Sequence, residues 1–543
     1  MAASDSDGPS SSGGSVALHP GNNAWVTAGI ITADVVGAGI LSIAKAVACF
    51  GWLLGSLLLV ALLAMNVHVS LLMWRVRMRH PEAQNYLGLV RAVFQGAPKA
   101  QRRLVTAVTG LSQYTFIFSM MSLYVLIFGK GLGMAFYGAR VCLSAWGLLA
   151  CCLVLPLCLS ARTMGTWKVL IWMNVLTILG IIIIPLADMV VRGVEETRRP
   201  GSQFQAVAED LGFRGAVSGL NTYTFAFTGQ YMLVEIISEM RDPAELPKAY
   251  VGISAPFQLV AFLTLGLGGY YYVGNAAYNM ITDNIPFGPS FRVAAVCLLV
   301  HMLVAYQIKG VVLCRAVHRA LDPRSAEEDT PEAWAIWRVV VPAACGFAFL
   351  FSQFVSFFED FVDLLGASVA PMSCLVIPIL TYLRSLHPVA GEAPDKVGIA
   401  AETHVATEVD PAEDALEDSS DEDPNNAFCA EPDGSGSSNE GGATPGRPAR
   451  PGPAGGAARA AELLFVCAEL LLALVLTVFG TYTALVNIAN GGIYGLPFDC
   501  HCEGIWNTCA CSGNHTGMES SCLAAAASGQ LPAPPCSAVG WSA

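Results

Sequence analysis

Charged side chains are scarce in this chain, and long apolar runs take their place. Only 13% of the 543 residues are Asp, Glu, Lys or Arg, whereas 54% are hydrophobic. The apolar residues gather in repeated blocks of about 20, the length at which a helix crosses the hydrocarbon of a bilayer. The composition therefore predicts an all-α polytopic membrane protein whose main surrounding is the lipid bilayer.

The sequence also lacks the patterns of several functional classes. It has no nucleophile–base pairing, no P-loop, no nucleic-acid module and, inside the apolar blocks, no metal-ligand cluster. Enzymes, ATP-driven pumps and nucleic-acid partners are therefore disfavoured, and neither a metal nor an organic cofactor is expected. A channel is disfavoured because its pore would be polar throughout, whereas the polar residues here concentrate at two points near the middle of the membrane.

The first 24 residues contain no Lys or Arg and no short apolar core, so no removable signal peptide is predicted. Their Ser/Gly-rich composition predicts a disordered cytoplasmic tail, residues 1–24. Eleven membrane spans follow this tail. They are predicted at 25–48, 51–74, 105–136, 141–160, 168–191, 215–238, 248–274, 290–317, 337–358, 361–383 and 461–488.

Basic residues in the short loops predict the orientation of the chain. With the N-terminus in the cytoplasm, fifteen Lys and Arg residues fall in inner loops and seven in outer loops. Short loops rich in Lys and Arg stay cytoplasmic, so this count favours the N-inside arrangement. An odd number of spans then places the C-terminus outside the cell or in a lumen. The plasma membrane and a vacuolar or lysosomal membrane fit this topology equally well.

Two segments outside the spans differ sharply in composition. Residues 385–460 carry 15 acidic side chains against four basic ones, which accounts for most of the net charge of −13. They predict a disordered cytoplasmic loop that solvates the protein or binds a cytoplasmic regulator. Residues 489–543 hold six cysteines and a glycosylation sequon at Asn514. Both features are typical of an oxidising compartment and predict a glycosylated, disulfide-bonded tail, with a Cys-only metal site as the alternative.

Span 1 is broken in its middle, where Gly37-Ala38-Gly39 interrupts the apolar run just after Asp34. Helix backbone groups in a bilayer pair with one another, so a weakened turn beside an acid is expected where the freed groups face a ligand or an ion. Asp34 is the first candidate for proton coupling, since a buried acid that titrates near neutrality loads and releases a proton in each cycle. A capped or Lys-paired structural acid is the alternative.

A matching break lies in span 6, where Thr228-Gly229-Gln230 interrupts the helix. Two inverted repeats are therefore predicted, spans 1–5 in residues 25–191 and spans 6–10 in residues 192–384, with span 11 in residues 461–488 appended. Free carbonyls at the breaks suit an ammonium group or a cation, and free N–H groups suit a carboxylate, so a zwitterionic amino acid is the expected substrate. The predicted substrate-binding residues are Val36, Gly37, Ala38, Gly39, Thr228, Gly229, Gln230 and Tyr231, with Tyr114 and Phe225 as aromatic walls.

Other polar residues of the spans each have two interpretations. Glu235, one and a half turns after the second break, is the second candidate for proton coupling, unless it holds a cytoplasmic loop. Lys309 on span 8 is expected near the inner face in a structural role, although a cation there could replace a bound sodium. His301 and Gln307, also on span 8, are candidates for the core face, with His301 either a packing residue or a proton relay.

A set of short strings occurs along the chain in a fixed order. The strings are ITADVVGAGILS (31–42), FGW (50–52), FAFTGQ (225–230), EIISEMRDP (235–243), LPKA (246–249), YYVGN (271–275), FFED (357–360), LGA (365–367) and GTY (480–482), with His301 and Tyr306-Gln307 on span 8. Together they resemble the amino acid/auxin permease family, above all its plant lysine/histidine-type carriers and fungal neutral amino acid permeases. Each string is short, but their order and spacing extend the resemblance from span 1 to span 11.

The resemblance implies a LeuT-like fold of five plus five inverted spans with an eleventh helix, and proton-driven transport of amino acids, with sodium as the alternative coupling ion. One position departs from the family pattern. Where the family usually has Leu-Pro-Tyr or Leu-Ala-Trp, this chain has Ile43-Ala44-Lys45. Three roles are open for Lys45: it snorkels to the outer surface, it pairs with an acid, or it contacts an anionic group of the substrate.

Two other functions remain open at this stage. An amino acid sensor would bind its ligand with little flux and signal through residues 385–460 or the N-terminal tail. An auxin-like carrier would move indole acids instead of amino acids. Deletion of the acidic loop separates a carrier from a sensor, and competition between indole acids and amino acids separates the two substrates.

Overall fold

The computed structural model describes residues 21–136, 141–198, 201–209, 211–277, 280–286, 288–354, 358–386 and 453–490, together with Phe498. Throughout these ranges the chain is helical apart from its connections, so the predicted all-α fold is confirmed. Internal contacts divide the chain into two units, Met1–His387 with Phe465–Ala543, and Pro388–Leu464. Residues 1–20, residues 387–452 of the acidic loop and the cysteine-rich tail with Asn514 lie outside the described residues.

Helices occupy all eleven stretches for which the sequence predicts a span. Span 1 is Ala24–Val35 followed by Ala38–Phe50, and span 6 is Phe213–Ala226 followed by Gln230–Met232 and Leu233–Ser238. The others are Trp52–Arg79 (span 2), Lys99–Ala135 (3), Leu143–Ser160 (4), Lys168–Thr197 (5), Pro243–Val273 (7), Pro289–Leu321 (8), Pro331–Phe354 (9), Phe358–Ala367 with Val369–Pro371, Met372–Val376 and Ile377–Ser385 (10), and Pro453–Asn490 (11).

By length and apolar composition, nine of the described helices are able to cross a bilayer, and the two parts of span 1, bent by 48°, add a tenth. The sixth predicted stretch falls outside this count because its break leaves two helices that are each too short. Ten spans are therefore counted instead of the predicted eleven because the helix of span 6 is interrupted. The same kind of interruption is what predicts the site.

Local backbone features shape individual spans. Gly51 joins spans 1 and 2 with φ of +87°, and a Cβ at this position would lie 2.7 Å from the carbonyl oxygen of Ala206, so both its conformation and its surroundings favour glycine. Two spans contain a turn of π-helix, Lys248–Ser254 in span 7 and Met372–Val376 in span 10. Such turns widen a helix locally and free backbone groups for other contacts.

A short helix that the sequence analysis did not predict, Tyr86–Val93, lies between spans 2 and 3. Its apolar face, which includes Leu89 and Val90, is buried against the spans. The Tyr86 hydroxyl donates to the carbonyl oxygen of Ser373 in the π-helical turn of span 10 at 3.0 Å. This helix therefore connects the segment between spans 2 and 3 to the second repeat.

The breaks of spans 1 and 6 face each other in the interior of the larger unit. A Cβ on Gly39 would lie 2.4 Å from the Cα of Ala226, and a Cβ on Gly229 would lie 2.7 Å from a methyl carbon of Val35. Only glycine permits this approach, because the contacting atoms at Gly39 include backbone that is unable to move aside. The broken helices thereby meet where the predicted five-plus-five arrangement requires them.

Candidate transport site

A buried ion pair lies beside the break of span 1. The Nζ atom of Lys309 on span 8 donates to Oδ1 of Asp34 at 2.5 Å. Asp34 is 3% exposed and Lys309 is fully buried, so neither charge meets solvent. Removing two charges from water is expensive, and such a pair persists only where geometry and further polar contacts offset the cost of desolvation.

Two tyrosines complete the surroundings of this pair. The Tyr231 hydroxyl, from span 6 just after its break, donates to Oδ1 of Asp34 at 3.1 Å. The Lys309 ammonium lies 4.9 Å from the centroid of the Tyr124 ring on span 3, a cation–π distance. Oδ2 of Asp34 has no hydrogen-bond partner among the described residues. Spans 1, 3, 6 and 8 therefore all contribute to one charged site with an open acceptor.

The glycine of the first break places the backbone against this cluster. A Cβ on Gly37 would lie 2.5 Å from the Tyr124 hydroxyl oxygen. Asp34 is in the last turn of Ala24–Val35, so it lies at the negative end of that half-helix. The positive charge of Lys309 compensates both the carboxylate and this end of the dipole.

Each break leaves helix termini in the buried interior. Span 1 stops at Val35 and resumes at Ala38, and span 6 stops at Ala226 and resumes at Gln230. A helix C-terminus leaves carbonyl oxygens without intrahelical partners, and a helix N-terminus leaves N–H groups. The site therefore offers acceptors and donors side by side, together with an acid and a base.

Two of the predicted binding residues have protein partners instead of facing open space. The amide nitrogen of Gln230 donates to the Asn66 carbonyl oxygen at 2.8 Å and to the Ser70 hydroxyl at 3.0 Å, both on span 2. The Thr228 hydroxyl donates to the Phe225 carbonyl oxygen at 2.9 Å. These hydrogen bonds hold both side chains in place at the break of span 6.

The structure places Glu235 and Tyr114 towards the predicted inner side, one turn beyond Tyr231. Both line a small, water-sized cavity. Oε1 of Glu235 accepts from the backbone N–H of Tyr86 at 3.1 Å and from the Gln113 amide at 2.9 Å, and Gln113 also donates to the Tyr231 carbonyl oxygen at 2.8 Å. Glu235 thus holds the loop helix that follows span 2, and its Oε2 has no described partner.

The other candidates of span 8 are buried on its core face. Nδ1 of His301 forms a hydrogen bond of 2.7 Å with Oδ1 of Asn174 on span 5. Nε2 of His301 and the amide nitrogen of Gln307 have no described hydrogen-bond partner. Lys45 is half-buried in the second half of span 1 and is not enclosed as Lys309 is.

The sequence comparisons bear directly on this arrangement. A family model described as "transmembrane amino acid transporter protein" matches residues 20–393, from the start of span 1 to beyond the end of span 10. The chain belongs to this family. The protein is therefore a multi-pass membrane protein. Its family consists of membrane transporters and not of enzymes, as the sequence predicts.

Two plant relatives have a similar extent of match. The amino acid transporter AVT3C of Arabidopsis thaliana is 24% identical over 373 residues, which covers 64% of this chain and 80% of that protein. The amino acid transporter AVT3B of the same plant is 23% identical over 361 residues, covering 64% of this chain and 82% of that protein.

Solved structures with a similar backbone fold are those of several kinds of transporter. Mhp1, a nucleobase-cation-symport-1 family transporter bound to bromovinylhydantoin, has a TM-score of 0.46 at 15% identity, covering 69% of this chain and 81% of that chain. MhsT with L-phenylalanine has a TM-score of 0.41 at 12% identity, covering 67% and 98%. A Na⁺-coupled sialic acid symporter has a TM-score of 0.43 at 12% identity, covering 65% and 78%.

Some polar residues of the transporter escaped the sequence analysis. Asp363 on span 10 accepts from the hydroxyl of Thr222 at 3.1 Å, and Glu469 on span 11 forms a hydrogen bond of 2.9 Å with Nδ1 of His68 on span 2. Both acids are buried within predicted spans. The rule that singles out Asp34, an acid inside an apolar run, would have found them.

Lys309 was predicted near the inner face, and the structure pairs it with Asp34 beside the break of span 1. Span 8 continues to Leu321, four residues beyond its predicted end, so Lys309 is 12 residues from the end of the helix. At 1.5 Å per residue this is about 18 Å along the helix. Tyr124 was not predicted because an aromatic residue in an apolar span has no distinguishing pattern.

Proposed function

We propose that the chain is a proton-coupled amino acid symporter that works by alternating access, with Asp34 and Lys309 carrying the coupled proton. The observation that supports this proposal most directly is their buried ion pair between two facing helix breaks. Protonation of Asp34 would remove the negative charge that holds Lys309. The pair would then separate, and the contacts among spans 1, 6 and 8 would change with it.

The pair also favours a proton over sodium as the coupling ion. A sodium ion at this place would have to share the Asp34 carboxylate, whose Oδ1 atom already accepts from Lys309 and Tyr231. It would also lie within a few ångströms of a fixed ammonium group, and like charges at such distances repel strongly in a poorly solvated interior. A proton has neither difficulty, because it binds to one carboxylate oxygen and neutralises the acid.

The substrate site is proposed at the same two breaks. The N–H groups where the helices resume, at Ala38 and Gln230, suit an α-carboxylate. The carbonyl oxygens where the helices stop suit an α-ammonium group. An amino acid presents both charges close together, which is why this class is proposed over indole acids, which lack the ammonium group.

The remaining sequence predictions belong to this proposal. The N-terminus is proposed to be cytoplasmic, with the C-terminus outside the cell or in a lumen, in a plasma, vacuolar or lysosomal membrane. Removal of residues 385–460, the acidic loop, is expected to leave flux intact. A sensor that uses this loop would instead keep ligand binding and lose its signal.

The test is transport by purified full-length protein in liposomes. Uptake of an amino acid panel is measured with an imposed pH gradient, with and without sodium, for wild type and Asp34→Asn. The matched control is Asp188→Asn, which removes an acid paired with Arg192 on span 5 at 2.7 Å, away from the breaks. Both variants are compared at equal amounts of reconstituted protein.

Wild-type uptake that follows the pH gradient without sodium, is lost or uncoupled in Asp34→Asn and persists in Asp188→Asn would agree with the proposal. Uptake that ignores the pH gradient or requires sodium would refute proton coupling. Binding of amino acids without any uptake would refute symport and favour the sensor.

A further inference from the structure

An ion-pair network joins several elements at the predicted inner side of the membrane. Glu239, at the end of span 6, accepts from Arg315 of span 8 at 3.1 Å. A second nitrogen of Arg315 donates to Glu327 at 3.0 Å, and Arg319, one turn further along span 8, also pairs with Glu327. Glu327 lies in residues 322–330, the segment that connects spans 8 and 9.

Glu239 extends the same network to the first repeat. Its carboxylate accepts from the backbone N–H of Met164 at 2.9 Å in the connection between spans 4 and 5. Its carbonyl oxygen accepts from the backbone N–H of Asn22, immediately before span 1, at 2.7 Å. One residue therefore ties together the start of span 1, the end of span 6, span 8 and the connection from span 4 to span 5.

The network borders the water-sized cavity near the transport site. Glu239, Arg315 and Arg319 line this cavity together with Tyr114 and Glu235. Glu235 is one helical turn from the tyrosine that donates to Asp34. The ion pairs of Glu239, Arg315 and Glu327 therefore lie where a path from the Asp34–Lys309 pair would reach the predicted inner solution.

Arg162, in the connection between spans 4 and 5, fixes the position of residues 322–330. The Arg162 side chain is 3% exposed, and its guanidinium lies 5.5 Å and 5.9 Å from the ring centroids of Trp334 and Trp337 on span 9. It donates to three backbone carbonyl oxygens of the segment, those of Glu328 at 2.7 Å, Ala326 at 3.1 Å and Ser325 at 3.3 Å. These contacts enclose the residue between them, Glu327, and set where its carboxylate points.

Burial separates the contacts into two groups. The side chain of Glu327 is 46% exposed and that of Arg319 27%, so solvent screens their attraction and limits its strength. The contacts of Arg162 are buried and have a charged donor, which makes them stronger. A gate that opens in each transport cycle needs both kinds of contact. Strong contacts hold the segment in place, and weak contacts break when the gate opens.

We propose that residues 322–330 are the latch of an inner gate. Glu327 holds Arg315 and Arg319, Arg315 holds Glu239, and Arg162 is the positioning residue that places Glu327. Opening requires Arg315 to leave Glu239, which frees the end of span 6 and the start of span 1 together. The inference rests on the proposed function only in that the transporter opens towards this side.

The test measures access to the cavity by chemical labelling. Val312 lines the cavity and is 4% exposed, so Val312→Cys reports opening of the gate. Full-length protein in membranes is treated from the inner face with a membrane-impermeant maleimide, and the labelling rate is taken as the increment over protein without this cysteine. Neither substrate nor a proton gradient is needed, so this test and the transport test fail independently.

When Arg315→Gln is added to the Val312→Cys protein, the cysteine is expected to be labelled roughly fivefold faster. This factor corresponds to the loss of an interaction of about 1 kcal/mol. Glu327→Gln is expected to label faster by a smaller factor. The matched control is Arg338→Gln on span 9, an exposed arginine whose described hydrogen bond is to the Trp334 carbonyl oxygen, and it is expected to label at the original rate.

Arg162→Gln distinguishes positioning from simple structural support. A positioning residue raises the labelling rate with an unchanged amount of protein in the membrane, and adds nothing further when Glu327→Gln is already present, because both substitutions release the same contact. Equal labelling of Arg315→Gln and its parent would overturn the latch, as would equal acceleration by Arg338→Gln. If Arg315→Gln does not reach the membrane, Glu327→Gln decides by the same criterion.

Discussion

Replacement of Lys309 by Met should destabilise the protein at neutral pH far more than the loss of its apolar contacts explains. The substitution keeps the length of the side chain but leaves the Asp34 carboxylate buried without its cation. Of the contacts of Asp34, only the Tyr231 hydroxyl would remain to stabilise the negative charge. Breaking a buried pair from one side costs about 3–5 kcal/mol.

The assay is thermal stability in detergent, read as the temperature at which half of the protein leaves the monodisperse peak. Wild type, Lys309→Met, Asp34→Asn and the double variant are compared at pH 7. The double variant should recover most of the loss, because it contains no unpaired buried charge. A Lys309→Met protein as stable as wild type would refute the role assigned to the pair.

Three further predictions concern packing, the latch and span 11. Gly39→Ala should destabilise the protein by about 1–3 kcal/mol because its Cβ meets the backbone of span 6, whereas Gly346→Ala, with nothing within 4 Å, should be neutral or slightly stabilising in the same thermal assay. Burial raises the pKa of the Glu327 carboxyl, but its two arginine partners outweigh this and hold the pKa below its ordinary value, so the contacts of Glu327 with Arg315 and Arg319 weaken only as the pH falls through that lowered pKa. The ratio of the labelling rates of Glu327→Gln and its parent at the same pH, which cancels the titration of the thiol itself, should therefore stay constant from about pH 5 to 8, and a change in that range would contradict the assignment. His68→Leu should lower thermal stability by about 1–3 kcal/mol by leaving Glu469 without its partner, and Glu469→Gln in the same background should restore part of it.

The sequence predicted the spans and the two breaks well because both depend on local composition. Apolar blocks of about 20 residues define helices in a bilayer, and Gly37 or Gly229 inside such a block weakens the helix wherever the chain folds. An acid inside the block is equally visible. Asp34 could therefore be singled out from one sequence, together with the expectation that its site lies in mid-membrane.

The partners of these residues could not be predicted in the same way. Lys309 is 275 positions from Asp34 along the chain, and its depth in the membrane depends on where span 8 ends. The contacts of the Gln230 side chain with Asn66 and Ser70 on span 2 are equally invisible in the sequence. Side-chain pairing between spans is decided by how the helices pack, which no local pattern specifies.

The sequence by itself determined that this protein lies in a membrane, that it is built of helices, and that two of its helices are interrupted beside acidic residues. These properties follow from transfer of apolar groups into lipid and from backbone pairing, which act along short stretches of chain. Only the tertiary structure decided that Asp34 shares a buried ion pair with Lys309, that Glu235 faces a cavity, and that Arg315 joins spans 6 and 8. Those contacts depend on the relative position of helices distant in sequence, because charges in a poorly solvated interior are stabilised only by partners within a few ångströms.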